Sequence, residues 1–236
     1  MKMDINCDLG ENEPFSLTEA VAPFITSANI ACGGHAGTAD TMRACIRLAL
    51  QHGLKVGAHP GLKDEHFGRR PCSISAEQLA TLLLQQVSAL ETLAGTLGAQ
   101  VHHVKLHGAL YHAVDADESL REACLGLLQE CWPSLIIYAR AVGAFAREAQ
   151  ARGHFVWQEV FLDRNYRSSG ELVARGEPDA LLGKPEELQE RLELLRGKKI
   201  RTIDGQLLAV EPQTLAIHAD SPRALEFAKI ARQFGW

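Results

Sequence analysis

Short β-like runs recur along the chain at 3–8, 27–32, 54–59, 101–107, 135–138, 155–161 and 214–218, and longer segments with helical spacing lie between most of them. Residues 38–52 place Met42, Ile46 and Ala49 on one helical face, and Gly53 follows as a stop signal. Residues 75–97 give the clearest helix. Ser75 and Gln78 form a capping-box pattern, Leu79, Leu83, Val87, Leu90, Ala94 and Leu97 follow 3–4 spacing, and Gly98 ends the run. Asp117 predicts a cap for a helix running to about Cys131. Ser221 and Pro222 predict a cap and a first-turn proline ahead of Ala224, Phe227, Ala228 and Ala231. Between 200 and 210, Asp204-Gly205 reads as a hairpin turn. About seven strand–helix units predict an α/β fold with a parallel sheet, as one domain over 1–236. The pattern admits both a closed barrel and an open doubly wound sheet.

Polar residues gather at the C-terminal ends of these strands. The first run ends in Asn6 and Asp8 with Glu11 beyond, and the second leads into Gly33, Gly34 and His35. The third ends at His59, the fourth at Lys105 and His107, the sixth carries Glu159, and the last ends at His218 with Asp220 after it. Period-two alternation puts Asn6 with Asp8, Lys55 with His59, and His103 with Lys105 and His107 on one face each. Ile5, Cys7, Val56, Ala58, Val104 and Leu106 occupy the opposite faces. In a barrel the apolar set faces the helices and the polar set points inward, converging at the C-terminal mouth where barrel active sites lie. A single strand-end histidine is commonly structural. Several charged groups buried together without a task would be costly, which favours a functional site. His102 is adjacent to His103 and therefore points away from the mouth, and His52, His66, His112 and His154 fall in helix-end or loop contexts.

Composition narrows the classes. Hydrophobic residues make up 46% and charged residues 22%, which argues against disorder. A net charge of -5 with no Lys/Arg block gives no footprint for nucleic acid, and no apolar run approaches the roughly 20 residues that span a bilayer. Six cysteines without a CxxC pair predict free thiols, and Met1 to Asp4 lacks the apolar stretch of a secretory signal. Both point to a cytoplasmic protein. Gly33-Gly34-His35-Ala36-Gly37 precedes a helix and would let backbone N–H groups approach an anion, or would simply be a tight turn. No Walker A loop is present, and no histidine has a fixed spacing to Cys32 that would mark it as a nucleophile. Residues 163–177 carry Arg164, Arg167 and Arg175 around two glycines, as in a lid that brings cations to an anionic substrate, or in an ordinary surface loop.

Five stretches resemble the LamB/YcsF family of 5-oxoprolinase components, in order and over nearly the whole chain: residues 6–11, 27–37, 57–61 with 67–70, 104–111 and 159–166. The chain departs from the usual pattern at Leu106, His112 and Ala219, where the family tends to have Pro, Asn and Gly, and after Glu11, where Asn12 to Phe15 lacks a following Gly. The resemblance implies a distorted (β/α)7 TIM-like barrel of the glycoside hydrolase/deacetylase type. It further implies ATP-dependent hydrolysis of the lactam of 5-oxo-L-proline to L-glutamate, with ATP (and Mg2+ as its counterion) as cofactor and two other subunits as partners. On that reading Asp8 or Glu159 positions or deprotonates water, with Glu11 beside them. Lys105 and an arginine from Arg69, Arg70 or Arg164 hold phosphate or the substrate carboxylate, and His35, His59 and His107 move protons or bind the oxyanion. Asn6, Gly33, Gly34, His218 and Asp220 complete the binding set. Two rival readings are a metal-dependent deacetylase or amidohydrolase holding its ion with Asp8, His35 and His59, and a non-catalytic subunit that binds the lactam for its partners.

Overall fold

A computed structural model describes residues 3–70, 73–221 and 223–235. Its strands are β1 (Asp4–Leu9), β2 (Ser27–Ala31), β3 (Lys55–His59), β4 (Val101–Val104), β5 (Ile136–Arg140), β6 (Val156–Phe161), β7 (Lys199–Arg201), β8 (Leu207–Ala209) and β9 (Thr214–His218). Its helices are α1 (Phe15–Val21), α2 (Ala39–His52), α3 (Ala76–Thr96), α4 (Gly108–Ala116), α5 (Glu118–Cys131), α6 (Ala144–Ala151), α7 (Pro185–Arg196) and α8 (Ala224–Gln233). Strands β1 to β6 and β9 form a closed barrel of parallel neighbours, with β1 paired to both β2 and β9. This closure decides between the two α/β arrangements. The remaining pair, β7–β8, is the antiparallel hairpin expected around Asp204-Gly205.

The caps follow the sequence closely. Thr38 caps α2 and Gly53 ends it with φ 64°, Ser75 and Gln78 form the capping box of α3, and Asp117 accepts from the Leu120 N–H at the start of α5. The start of α8 differs. Its N-cap is Arg223 with no side-chain cap, while Ser221 accepts through its carbonyl from the Ala224 N–H. Pro222 lies outside the described residues, as do Cys72, Met1 and Lys2. Cys7, Cys32, Cys45, Cys124 and Cys131 are free thiols. Among the described residues no helix is long and apolar enough to cross a membrane.

Alternation sorts the faces as expected. Ile5, Cys7, Val56, Ala58, Val104, Leu215 and Ile217 pack into the layer between barrel and helices, with Leu79, Leu83, Val87 and Leu90 of α3 in the same core. The barrel interior is polar instead. Asp4, Asn6, Asp8, Ser27, Asn29, His103, Lys105, Glu159 and Thr214 are all buried there. Burying so many polar groups is tolerable only if each is hydrogen-bonded. At the N-terminal floor the Asp4 carboxylate accepts from the hydroxyls of Thr26, Ser27, Thr214 and Tyr138 and from Lys55 Nζ. One layer up, the His103 ring stacks on Tyr138 at 3.9 Å and donates from Nε2 to Asn29 Oδ1 at 2.7 Å. Glycine at position 57 makes room for that ring, since a Cβ there would lie 2.0 Å from His103 Nε2.

Burial holds His103 well below the ordinary histidine range, so the folded state favours the neutral ring. A depressed histidine pKa contributes stability that is present above the unfolded value of about 6.5 and is lost as pH falls below it. The urea midpoint is therefore expected to fall between pH 7.5 and pH 5.5, before the carboxylates titrate. A midpoint that stays level across that window would show that His103 is not held neutral.

Candidate active site

The C-terminal rim gathers residues from β1, β2, β3, β4 and β6 and from the loops that follow them. Lys105 lies just past β4, 2% exposed, with its ammonium 3.1 Å from Asn6 Oδ1, 3.0 Å from Asp8 Oδ1 and 3.0 Å from Glu159 Oε1. Asn6 joins the group by donating to Glu159 Oε1 and Thr214 Oγ1, and Asn29 donates to both Asn6 Oδ1 and Asp8 Oδ1. Tyr111 on α4 donates to the other Glu159 oxygen. Every ammonium proton and both Glu159 oxygens have partners, so the ion group is internally satisfied.

That satisfaction reassigns two expected roles. Lys105 does not reach outward to hold phosphate, because its three N–H donors are spent on three buried acceptors. Glu159 is fully buried and its oxygens are occupied, so it fixes Lys105 and Asn6 rather than deprotonating water. Asp8 keeps one oxygen outside this network: Oδ2 lies 3.5 Å from His59 Nε2. Burial opposes ionisation of Asp8, but the His59 ring and the Lys105 ammonium outweigh it and hold the carboxyl below the usual carboxylate range. Burial likewise opposes the Lys105 charge, and Asp8 and Glu159 outweigh it, raising the ammonium pKa.

Beside Asp8 stands a second group. Glu11 Oε1 lies 3.1 Å from His35 Nε2, 3.5 Å from His59 Nε2 and 3.0 Å from His107 Nδ1. The His35 and His107 rings stack in parallel at 3.5 Å, and His59 meets His107 edge-on. Glycine at 61 permits this packing, because a Cβ there would lie 2.3 Å from His35 Nδ1. Phe67 has φ 54°, an unusual conformation for a bulky residue, and its carbonyl accepts from His107 Nε2 at 2.9 Å. Burial opposes ionisation of Glu11, yet hydrogen bonds from His107, His35 and His59 hold it below its ordinary range. Of the expected metal set of Asp8, His35 and His59, the two histidines converge with other donors and Asp8 Oδ2 stands 3.5 Å from His59 Nε2. The donors that converge are Glu11, His35, His59 and His107, while Asp8 Oδ1 is committed to Asn29 and Lys105.

The arginines divide. Arg69 spans the mouth, pairing with Glu11 Oε2 at 3.1 Å and Asp220 Oδ2 at 2.6 Å, and Arg175 meets the same Asp220 oxygen at 3.2 Å. Arg70 is exposed. Arg164 is buried and donates to the Val173 carbonyl; among the described residues it has no carboxylate contact and its Nε has no partner. His218 is held by Asp163 at 2.9 Å and stacks on Phe161. Ala219 needs no positive φ, so the departure from Gly there leaves the loop unstrained.

The anion cradle expected at Gly33 and Gly34 is not open in this conformation. The Gly33 N–H donates to the Ala36 carbonyl, and Gly34 packs so closely that a Cβ would lie 2.1 Å from the Gly61 carbonyl oxygen. Cys32 accepts from the His59 N–H, and burial pushes its thiol up to about 12, which removes it as a nucleophile near neutral pH. Four contributors escape the sequence reading. Asn29 shares the inward face with Ser27 and is readable from alternation. Tyr111 lies four residues after His107, one turn into α4, and Asp163 lies two residues past the end of β6. Thr214 opens the last strand and gives no local signal.

A closed parallel barrel with a buried ion group and a histidine–carboxylate group at its C-terminal rim defines an α/β barrel protein whose polar chemistry sits where such barrels place active sites. The chain belongs to the LamB/YcsF family, which it matches over residues 3–234. It is 41% identical over 232 residues to a Bordetella pertussis protein named as the A component of 5-oxoprolinase, covering 96% of this chain and 92% of that one. A solved structure of a lactam utilization protein from Thermus thermophilus superposes with a TM-score of 0.89 at 35% identity, covering 99% of this chain and 96% of that one. A putative cellobiose-phosphate cleavage protein from Enterococcus faecalis shares the fold alone, with a TM-score of 0.55 at 13% identity over 98% of this chain and 94% of that one.

Proposed function

We propose that the barrel mouth opens the lactam ring of 5-oxo-L-proline to L-glutamate, coupled to ATP hydrolysis, within a cytoplasmic complex of this chain and two partner subunits. The observation that carries the reading is the free Asp8 Oδ2 facing the Glu11–histidine group across 3.5 Å at the barrel rim. The similarity to proteins named for 5-oxoprolinase and lactam utilization supports the choice of substrate.

The coupling has a physical reason. Amine and carboxyl are tethered in a five-membered lactam, and such tethering raises effective molarity by about 10⁵ or more, so closure competes strongly with hydrolysis. Transfer of the γ-phosphoryl group from ATP (with Mg2+ as its counterion) to the lactam oxygen makes a leaving group. One water adds at the ring carbon, the carbon–nitrogen bond breaks with the amine taking a proton, and a second water releases phosphate from the acyl phosphate. Asp8 orients the attacking water, and the histidines beside Glu11 relay its proton toward the departing amine. Lys105 and Glu159 hold Asp8 in place. Arg164, a buried cation with no carboxylate contact among the described residues, anchors the substrate carboxylate.

Reconstitution of the chain with its two partner subunits and labelled 5-oxo-L-proline tests this. Glutamate formation that requires all three chains and consumes one ATP per ring opened is expected. Undiminished glutamate formation by the partners alone would overturn it.

A further inference from the structure

We infer that Glu11, His35, His59 and His107 form a binding site for one divalent transition-metal ion of the zinc type. The argument rests on where the ring protons must be. His59 Nδ1 lies 2.7 Å from the Lys105 carbonyl, and His107 Nε2 lies 2.9 Å from the Phe67 carbonyl. A carbonyl only accepts, so each of these nitrogens carries the proton. The other nitrogen of each ring then points into the same space and offers a lone pair unless the ring takes a second proton. Those two nitrogens, His59 Nε2 and His107 Nδ1, face each other at 3.0 Å. Glu11 Oε1, a third acceptor, lies 3.5 Å and 3.0 Å from them, and His35 Nε2 brings a fourth donor atom to within 4.8 Å of all the others.

Acceptors crowded at such distances repel unless a proton or a metal cation stands among them, and a metal can engage all four at once. A histidine whose far nitrogen is fixed by a carbonyl is also the usual arrangement around a protein-bound metal, since it sets both tautomer and ring orientation. Three imidazole nitrogens and one carboxylate oxygen suit tetrahedral zinc better than magnesium or calcium, which favour all-oxygen sites. The ion supplies Lewis-acid polarisation of an oxygen bound beside it. The site is independent of which amide the barrel opens, and it is distinct from any magnesium that accompanies ATP.

The test uses the full chain without its partners, stripped with chelator and titrated with Zn2+ by calorimetry. One equivalent per chain is expected to bind. The isosteric Glu11→Gln variant should weaken binding at least 10-fold, and a His59→Ala, His107→Ala double variant should abolish it. Replacing the surface residue His52 by Ala should change nothing. Wild-type chain loaded with Co2+ should show the intense visible bands of a tetrahedral site, a readout that does not depend on any variant folding. Absence of stoichiometric binding, binding unchanged in the double variant, or only the weak bands of octahedral Co2+ would overturn the assignment.

Discussion

The Asp8→Asn variant, assembled with its partner subunits, should lose about 10³-fold in ring-opening rate, within the range of about 10² to 10⁴ contributed by a positioned acid–base group. The substitution is close to isosteric. Lys105 keeps its ion pair with Glu159 at 3.0 Å and its bond to Asn6, so the fold should survive. What disappears is the anionic Oδ2 that faces His59. Glutamate release under saturating 5-oxo-L-proline and ATP measures the loss, and a circular-dichroism melt confirms the fold. A variant that turns over at the wild-type rate would remove Asp8 from the chemistry.

Lys105→Met should act on stability first. It leaves Asp8 and Glu159 buried with no ammonium between them, and breaking a buried pair in this way costs about 3–5 kcal/mol. Against a typical total of about 5–15 kcal/mol, this is a large fraction. The urea midpoint should fall accordingly. Adding Glu159→Gln to Lys105→Met should recover part of the loss, because one of the two stranded charges is gone. If the double variant is no more stable than the single one, repulsion between the stranded carboxylates is not what Lys105 relieves.

The strands and their inward faces are legible in the sequence because barrel strands alternate strictly. Asn6, Asp8, His59, Lys105 and His107 can be placed on the inner face by counting in twos, and the structure puts them there. Counting cannot reveal that Lys105 is saturated, since that depends on contacts with residues distant in sequence, Glu159 and Asn6. The donors gathered around Glu11 illustrate the same limit. Glu11 and His35 sit on loops beyond their strands, where no periodicity governs direction, and only the folded loops bring Glu11 in place of Asp8 to the three histidines. The helices that periodicity does not reveal, α1, α4, α6 and α7, are short, and all but α7 are under ten residues, too short for a full amphipathic signature.

A crystal structure of the chain with 5-oxo-L-proline tests the location of the chemistry most directly. The lactam is expected at the barrel rim, its ring carbonyl beside the Glu11–histidine group and its carboxylate toward Arg164. A ligand bound instead in the cleft of about 500 Å³ between Gly33, Gly34 and the first turns of α3, with the rim vacant at saturation, would contradict the account.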